Sequence, residues 1–257
     1  MPINNLCDFG QDISSISKEI LTWENFDPIA LHNKFFASKK YNFLGLRIQL
    51  PTRINLDKFD RLANGYWDWQ LPILLRFGFP LDFPGDARSQ LISSEENHAS
   101  AVNYPQDIEK YLDTEIKHSA IFGPYTAPPF GKSTQTSPFM SRPKPDSGSR
   151  HIIIDLSWPQ QASVNYFTKR NVYLNTVYQL KYPTVDTITE HLCKLGKQAL
   201  LYKIDLARAF RQLPVDPYDY NLLTLKWKNS YFCDLYTPFG HSGGVLLVAD
   251  LQGSLGI

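Results

Sequence analysis

Residues 200–240, LLYKIDLARAFRQLPVDPYDYNLLTLKWKNSYFCDLYTPFG, decide how the rest of the chain is read. An apolar run from Ala199 to Ile204 ends on one carboxylate, Asp205, as a strand does when it runs into a turn. Further on, Leu223, Leu225 and Trp227 alternate with Thr224, Lys226 and Lys228. Asn229-Ser230 then breaks the pattern and Tyr231 to Tyr236 resumes it, which is the pattern of a β-hairpin. Thr237-Pro238-Phe239-Gly240 follows as a turn whose glycine lets backbone approach a bound molecule closely. Asp205 has two readings at this level. Its oxygens suit a hard cation held at a sheet edge, and they equally suit the N-cap of a helix over 206–213.

Outward from this stretch, Thr184 caps a predicted helix with the apolar stripe Val185, Ile188, Leu192 and Leu195, stopped by Gly196. His151 to Leu156 is a short β-branched strand. Between Gly123 and Pro145 six prolines force an extended or turning path, and with its basic residues this segment is expected to be a surface arm. Tyr104-Pro105 opens a helix with Ile108, Tyr111, Leu112 and Ile116 on one face. Leu56, Phe59 and Leu62, then Trp67, Leu71, Leu74, Leu75 and Phe77, predict two short amphipathic helices ended by Gly65 and Gly78. Residues 1–45 carry no sustained period and form a poorly determined lead-in.

With 257 residues, 43% apolar and 14% aromatic, the chain can bury a sizeable core. Its 26 basic and 25 acidic side chains leave a net charge of +1, so nucleic acid can be held only by a local cluster. Residues 130–170 supply one: Lys132, Arg142, Lys144, Arg150, Lys169 and Arg170 face only Asp146 and Asp155. A solvated loop is the plain alternative for such a cluster. Cys7, Cys193 and Cys233 are too scattered for a disulfide framework or a zinc site, which fits a reducing, intracellular setting. No basic-then-apolar leader and no run of about 18 apolar residues occurs, so a soluble protein without a membrane span is expected. Gly131-Lys132-Ser133 mimics the end of a phosphate-binding P-loop, but that motif needs a glycine where Thr126 stands, and Pro128 and Pro129 remove amide donors.

Residues 202–240, together with SPFMSRPKPDSGSRHIIIDLSWPQQASVN at 137–165, resemble the fingers and early palm of a reverse transcriptase. The likeness is strongest to the polymerases of tyrosine-recombinase retrotransposons of the DIRS and Ngaro type. Its words are Asp155-Leu156-Ser157-Trp158-Pro159, Ser163-Val164-Asn165 and Arg208-Ala209-Phe210-Arg211-Gln212-Leu213, with Asn97-His98-Ala99-Ser100 and residues 123–130 upstream. The resemblance implies an α+β right-hand polymerase. Residues 46–120 would be an N-terminal helical region, 121–241 the fingers and a partial palm, and 242–257 a divergent tail.

That resemblance makes Asp205 the first metal-binding aspartate, with the Leu206 carbonyl as a further ligand for Mg²⁺. Phe210 falls where an aromatic ring excludes a ribose 2′-hydroxyl, although a lone Phe is otherwise ordinary core. Lys144 and Arg150 match the basic residues that grip the triphosphate, with His151 standing where the family's arginine often is. Phe239 and Gly240 match the turn under the templating base. The implied partners are an RNA or DNA template with primer and deoxynucleoside triphosphates, while oligomeric state is not readable. After His241 the likeness ends. The Tyr-x-Asp-Asp hairpin that completes such a metal site has no counterpart, since the sequence holds no Asp-Asp pair. The chain is therefore expected to be a fragment, inactive by itself. The alternatives are a nucleic-acid-binding remnant without turnover and a translated relic without function.

Overall fold

The fold is α+β, and the computed structural model describes residues 20–44, 47–62, 64, 65, 68, 70–145, 147–178, 184–200 and 206–244. Helix α1 (Pro28–Ser38) starts on Asp27, whose carboxylate accepts the backbone N–H groups of Ile29 and Ala30 at 2.9 and 3.1 Å. These are donors a helix otherwise leaves bare. Leu31 and Phe35, one turn apart, enter the core. This helix lies in the aperiodic lead-in, specified by its cap and by tertiary burial rather than by a long stripe. Helices α2 (Leu56–Leu62) and α3 (Gln70–Phe77) occupy the two amphipathic stretches. Gly78 ends α3 at φ +97°, and a Cβ there would lie 2.6 Å from the Asp216 backbone.

Helix α4 (Ala99–Val102) leads into α5 (Pro105–Lys117), with Pro105 at its first turn and Ile108, Leu112 and Glu115 on the buried face. Strands β1 (Ile121–Tyr125), β2 (Thr136–Ser137) and β3 (Phe139–Lys144) follow, and here the structure corrects the sequence reading. The proline-rich segment is no surface arm: Phe130, Thr136, Ser137 and Phe139 are buried. The chain continues through β4 (Ser147–Ile154), α6 (Val164–Phe167), β5 (Val172–Tyr173) and β6 (Thr176–Val177). It then forms α7 (Val185–Leu195), β7 (Thr224–Trp227) and β8 (Ser230–Asp234). Strand β4 starts four residues ahead of the expected His151. The Thr184 cap of α7 forms as expected, but the stripe residues Val185, Ile188 and Leu195 remain exposed among the described residues.

The central sheet has the order β1-β8-β7-β2. Strands β7 and β8 form the predicted hairpin, with Trp227 opposite Ser230, so the loop is Lys228-Asn229 rather than Asn229-Ser230. Strand β1 joins antiparallel with Ile121 opposite Asp234, and β2 joins parallel with Thr136 opposite Thr224. Strands β3 and β4 make a separate hairpin that pairs Phe139 with Ile154 and Ser141 with Ile152. One large core packs the sheet against α1, α5 and this hairpin, while Leu56, Phe59, Leu71, Leu74, Leu75, Phe79, Tyr173 and Leu213 form a second cluster.

A buried polar knot fixes the chain just beyond residue 213. The Asn42 backbone N–H donates to Asp216 Oδ2 at 2.7 Å, and its side chain donates to the carbonyls of Ile48 and Phe77 and accepts from the Ile48 N–H. Asp219 accepts the Leu81 N–H at 2.8 Å and pairs with Arg88, whose guanidinium lies 4.7 Å from the Tyr218 ring centre. Burial drives the carboxyls of both aspartates up, and Arg88 works against that rise at Asp219. Among the described residues, no helix is long and apolar enough to cross a membrane. Cys193 is exposed and Cys233 buried, both as free thiols, and Cys7 lies outside the described residues.

Candidate functional site

Asp205 lies outside the described residues, but the segment that follows it is not the helix its capping reading required. Leu206 is half-buried, Arg208 takes left-handed backbone at φ 54°, ψ 40°, and Ala209–Gln212 forms a single 3₁₀ turn. Such backbone is uncommon for a side chain larger than glycine and persists where surroundings hold it. Here Arg208 Nη2 reaches Glu115 Oε2 on α5 at 2.7 Å, and Arg211 Nε meets the same oxygen at 3.2 Å. Arg211 also spans both oxygens of the buried Asp234 at 2.6 and 2.7 Å and bonds the Tyr111 hydroxyl. Burial opposes the charge on Arg211, yet Asp234, Tyr111 and Glu115 outweigh it and hold the guanidinium charged.

This network presents Phe210 to a cleft of about 240 Å³ lined by Tyr111, Glu115, Ile152, Ile154, Arg208, Ala209, Phe210, Arg211 and Phe239. Phe210 and Phe239 meet edge to face, with ring centres 5.2 Å apart. Gly240 sits at φ +128°, and a Cβ on it would lie 2.9 Å from the Ile154 carbonyl oxygen, so only glycine lets the turn lie against β4. The Asn165 side chain ties this turn down. Its amide donates to the Gly240 carbonyl at 2.7 Å and to Ser157 Oγ at 2.9 Å, and its oxygen accepts the Ser242 N–H at 2.9 Å.

Phe210, Phe239 and Gly240 are thus brought together, whereas Lys144 and Arg150 do not line the cleft. Arg150 is occupied elsewhere: Nε donates to Ser141 Oγ at 2.9 Å, Nη2 donates to the Ser141 carbonyl at 3.1 Å, and its Cζ lies 3.7 Å from the Tyr104 ring centre. Lys144 is half-buried at the end of β3, past a register shift. The cleft's own cations, Arg208 and Arg211, are compensated by Glu115 and Asp234. Its aromatic and aliphatic walls therefore suit a flat, neutral ring better than a phosphate. Among the described residues no three His, Cys, Asp or Glu side chains converge, so these residues do not by themselves fit Mg²⁺.

Two contributors carry no periodic signal in the sequence. Glu115 is a buried acid on an otherwise apolar face, and a carboxylate on the core side of a helix is the one hint that a cation must meet it. His98 pairs with Asp155 at 2.9 Å, which anchors the Asp155-to-Pro159 loop next to the turn.

No protein-family model and no curated protein matches the sequence. Among solved structures, the native prototype foamy virus protease-reverse transcriptase aligns at 18% identity and a TM-score of 0.43, covering 91% of this chain and 27% of that one. The foamy viral protease-reverse transcriptase in complex with double-stranded DNA aligns at 14% identity and TM-score 0.42, covering 80% and 36%. The same type of protein with an RNA/DNA hybrid aligns at 16% and 0.38, covering 80% and 28%. The chain spans roughly a quarter to a third of these proteins, and at TM-scores below 0.5 the likeness carries no argument about function.

Proposed function

We propose that the chain is part of a template-directed nucleotidyl-transfer polymerase, with residues 121–241 as fingers and partial palm. More narrowly, we read it as a segment of an RNA-directed DNA polymerase of the DIRS and Ngaro type of retrotransposon. The observation that carries this is the edge-to-face meeting of Phe210 and Phe239 beside Gly240, at one small cleft. The sequence resemblance assigns Phe210 to the ribose of the incoming nucleotide, and Phe239 and Gly240 to the nucleotide pocket under the templating base.

In this reading the Phe210 ring excludes the 2′-hydroxyl, and Phe239 and Gly240 lie under the templating base. Arg150 leaves Ser141 and Tyr104 to grip the triphosphate with Lys144. Asp205 and the Leu206 carbonyl would be the first ligands of Mg²⁺, which in such enzymes activates the primer hydroxyl and steadies the leaving pyrophosphate. One carboxylate cannot organise two such ions. The 257-residue polypeptide by itself should therefore bind nucleotide without extending a primer on RNA or DNA.

Equilibrium titration with fluorescent deoxy- and ribonucleoside triphosphates tests the assignment. The deoxy form should bind more tightly, and Phe210→Ala should remove most of that preference, on the order of tenfold. Equal affinities in the unaltered protein, or an unchanged preference in the variant, would remove Phe210 from the proposed role. The charge excess of residues 130–170 favours a second reading, nucleic-acid binding without turnover, marked by oligonucleotide affinity that falls with salt and no nucleotide preference.

A further inference from the structure

A second cleft, of about 260 Å³, shares Arg208 and Arg211 with the cleft at Phe210 and is otherwise lined by different residues. Arg53 reaches it from the segment ahead of α2, His118 from the end of α5 and Tyr236 from the chain just beyond β8. None of the described residues that line it is acidic. Thr52 Oγ1 accepts the Ile54 N–H at 3.1 Å, a short turn that fixes the backbone on either side of Arg53. Burial pushes the Tyr236 hydroxyl up to about 12, and Arg53 and Arg211 pull against that rise, which places two guanidinium charges near one phenol.

The donors are unequally committed. Arg211 spends its fork on Asp234, Glu115 and Tyr111. Arg208 gives Nη2 to Glu115 and makes no other bond among the described residues, with its side chain 37% exposed. Its left-handed backbone, φ 54°, is of the kind that persists at ligand clamps. Arg53 is exposed and meets no carboxylate among the described residues. Three guanidiniums thus stand against two carboxylates, Glu115 and Asp234, and Glu115 lines the other cleft. His118 Nδ1 donates to the Thr114 carbonyl at 2.7 Å, which leaves Nε2 to take up a proton and donate to an anion. Arg53 and a protonated His118 together offset two negative charges.

The volume falls below the roughly 300 Å³ at which pockets for drug-sized molecules begin, so a small anion suits it. Donors that arrive from separate elements need acceptor oxygens pointing in several directions. A carboxylate has two in one plane and a phosphodiester has two free ones, whereas a phosphate dianion has at least three. We propose that this cleft binds a phosphate dianion, free or as a monoester, clamped by Arg53, Arg208 and the Tyr236 hydroxyl. It is a different site from the one the polymerase reading requires, where Lys144 and Arg150 take the triphosphate.

Isothermal titration calorimetry of the full chain at constant ionic strength tests this with inorganic phosphate, methyl phosphate, dimethyl phosphate and acetate. Inorganic phosphate or methyl phosphate should bind with a dissociation constant below about 1 mM, and at least about tenfold more tightly than dimethyl phosphate or acetate. The tighter of the two dianions identifies the source, free ion or ester. Arg53→Gln should weaken that binding about tenfold and Arg53→Lys should restore part of it, since a lysine keeps the charge without the fork. Arg53 is exposed, so both variants leave the core intact. No saturable binding of either dianion, equal binding of dimethyl phosphate, or an Arg53→Gln protein that binds as the unaltered one does would each overturn the site. Fluorescent deoxynucleotide affinity should be unchanged in Arg53→Gln, and a parallel loss would merge this cleft with the nucleotide site and end its separate role. Absent nucleotide preference with phosphate binding intact would instead sink the polymerase reading and leave this site standing.

Discussion

Gly240 shows how one backbone atom constrains the candidate site. At its φ of +128°, any Cβ would come within 2.9 Å of the Ile154 carbonyl oxygen, which leaves no room for a side chain. Gly240→Ala should destabilise the protein by about 2 kcal/mol in urea unfolding, because the alanine must either hold a strained conformation or push the turn off β4. An unchanged midpoint would mean that the turn does not lie against the strand. Gly240 is legible in the sequence as a turn residue, whereas Phe210 and Phe239 are singled out only by the resemblance, since a lone Phe otherwise reads as core. Glu115 and Asn165 acquire their roles only through contacts with residues 93 and 75 positions away. Apart from the misplaced carboxylate of Glu115 on an apolar helix face, no local pattern marks a polar side chain whose partners are that distant.

The turn over residues 237–244 carries a buried titratable group as well as Phe239. His241 is almost fully buried, neither ring nitrogen finds a partner among the described residues, and burial lowers its pKa from 6.5 to about 4. The folded state therefore resists protonation that the unfolded chain accepts. Stability from this residue is complete above pH 6.5 and is lost as the pH falls towards 4, by at most about 1.4 kcal/mol per pH unit. The buried carboxyls of Asp216, Asp219 and Asp234 are raised by burial and act in the opposite direction, so the difference between proteins is the informative quantity. Melting temperatures of the wild type and His241→Gln across this range should converge as the pH drops, and parallel curves would rule out His241 as the source. Caps are the most legible feature of the elements: the Thr184 start and Gly196 stop of α7 and the Pro105 start of α5 stand where the sequence puts them. The proline-rich segment defeats a local reading because prolines usually exclude strands. Here Pro124 falls on β1, an edge strand of the central sheet, and Pro143 on β3 in a two-stranded hairpin, where a missing N–H need not interrupt a ladder.

Across the whole molecule, Asn42 links the lead-in to the segment that follows the candidate site, bonding residues 48, 77 and 216 at once. Asn42→Ala strips its side-chain bonds and leaves buried carbonyls and an N–H without partners, which should cost about 3 kcal/mol in denaturant unfolding with an unchanged slope. A loss below about 0.5 kcal/mol, the range of ordinary surface substitutions, would show that the Asn42 side chain is not what holds the lead-in against residues 48 and 77. Propensity and short-range periodicity suffice for the β7–β8 hairpin and the capped helices, while the α+β class and the aromatic residues at the cleft are reached through the sequence resemblance. Three outcomes cannot be read that way: the proline-rich segment enters the sheet, Arg150 stacks on Tyr104 away from the cleft, and Ser157, Gly240 and Ser242 converge on the Asn165 amide. Each depends on which buried polar groups and rings find partners across the folded chain, and those partners are brought together only by folding.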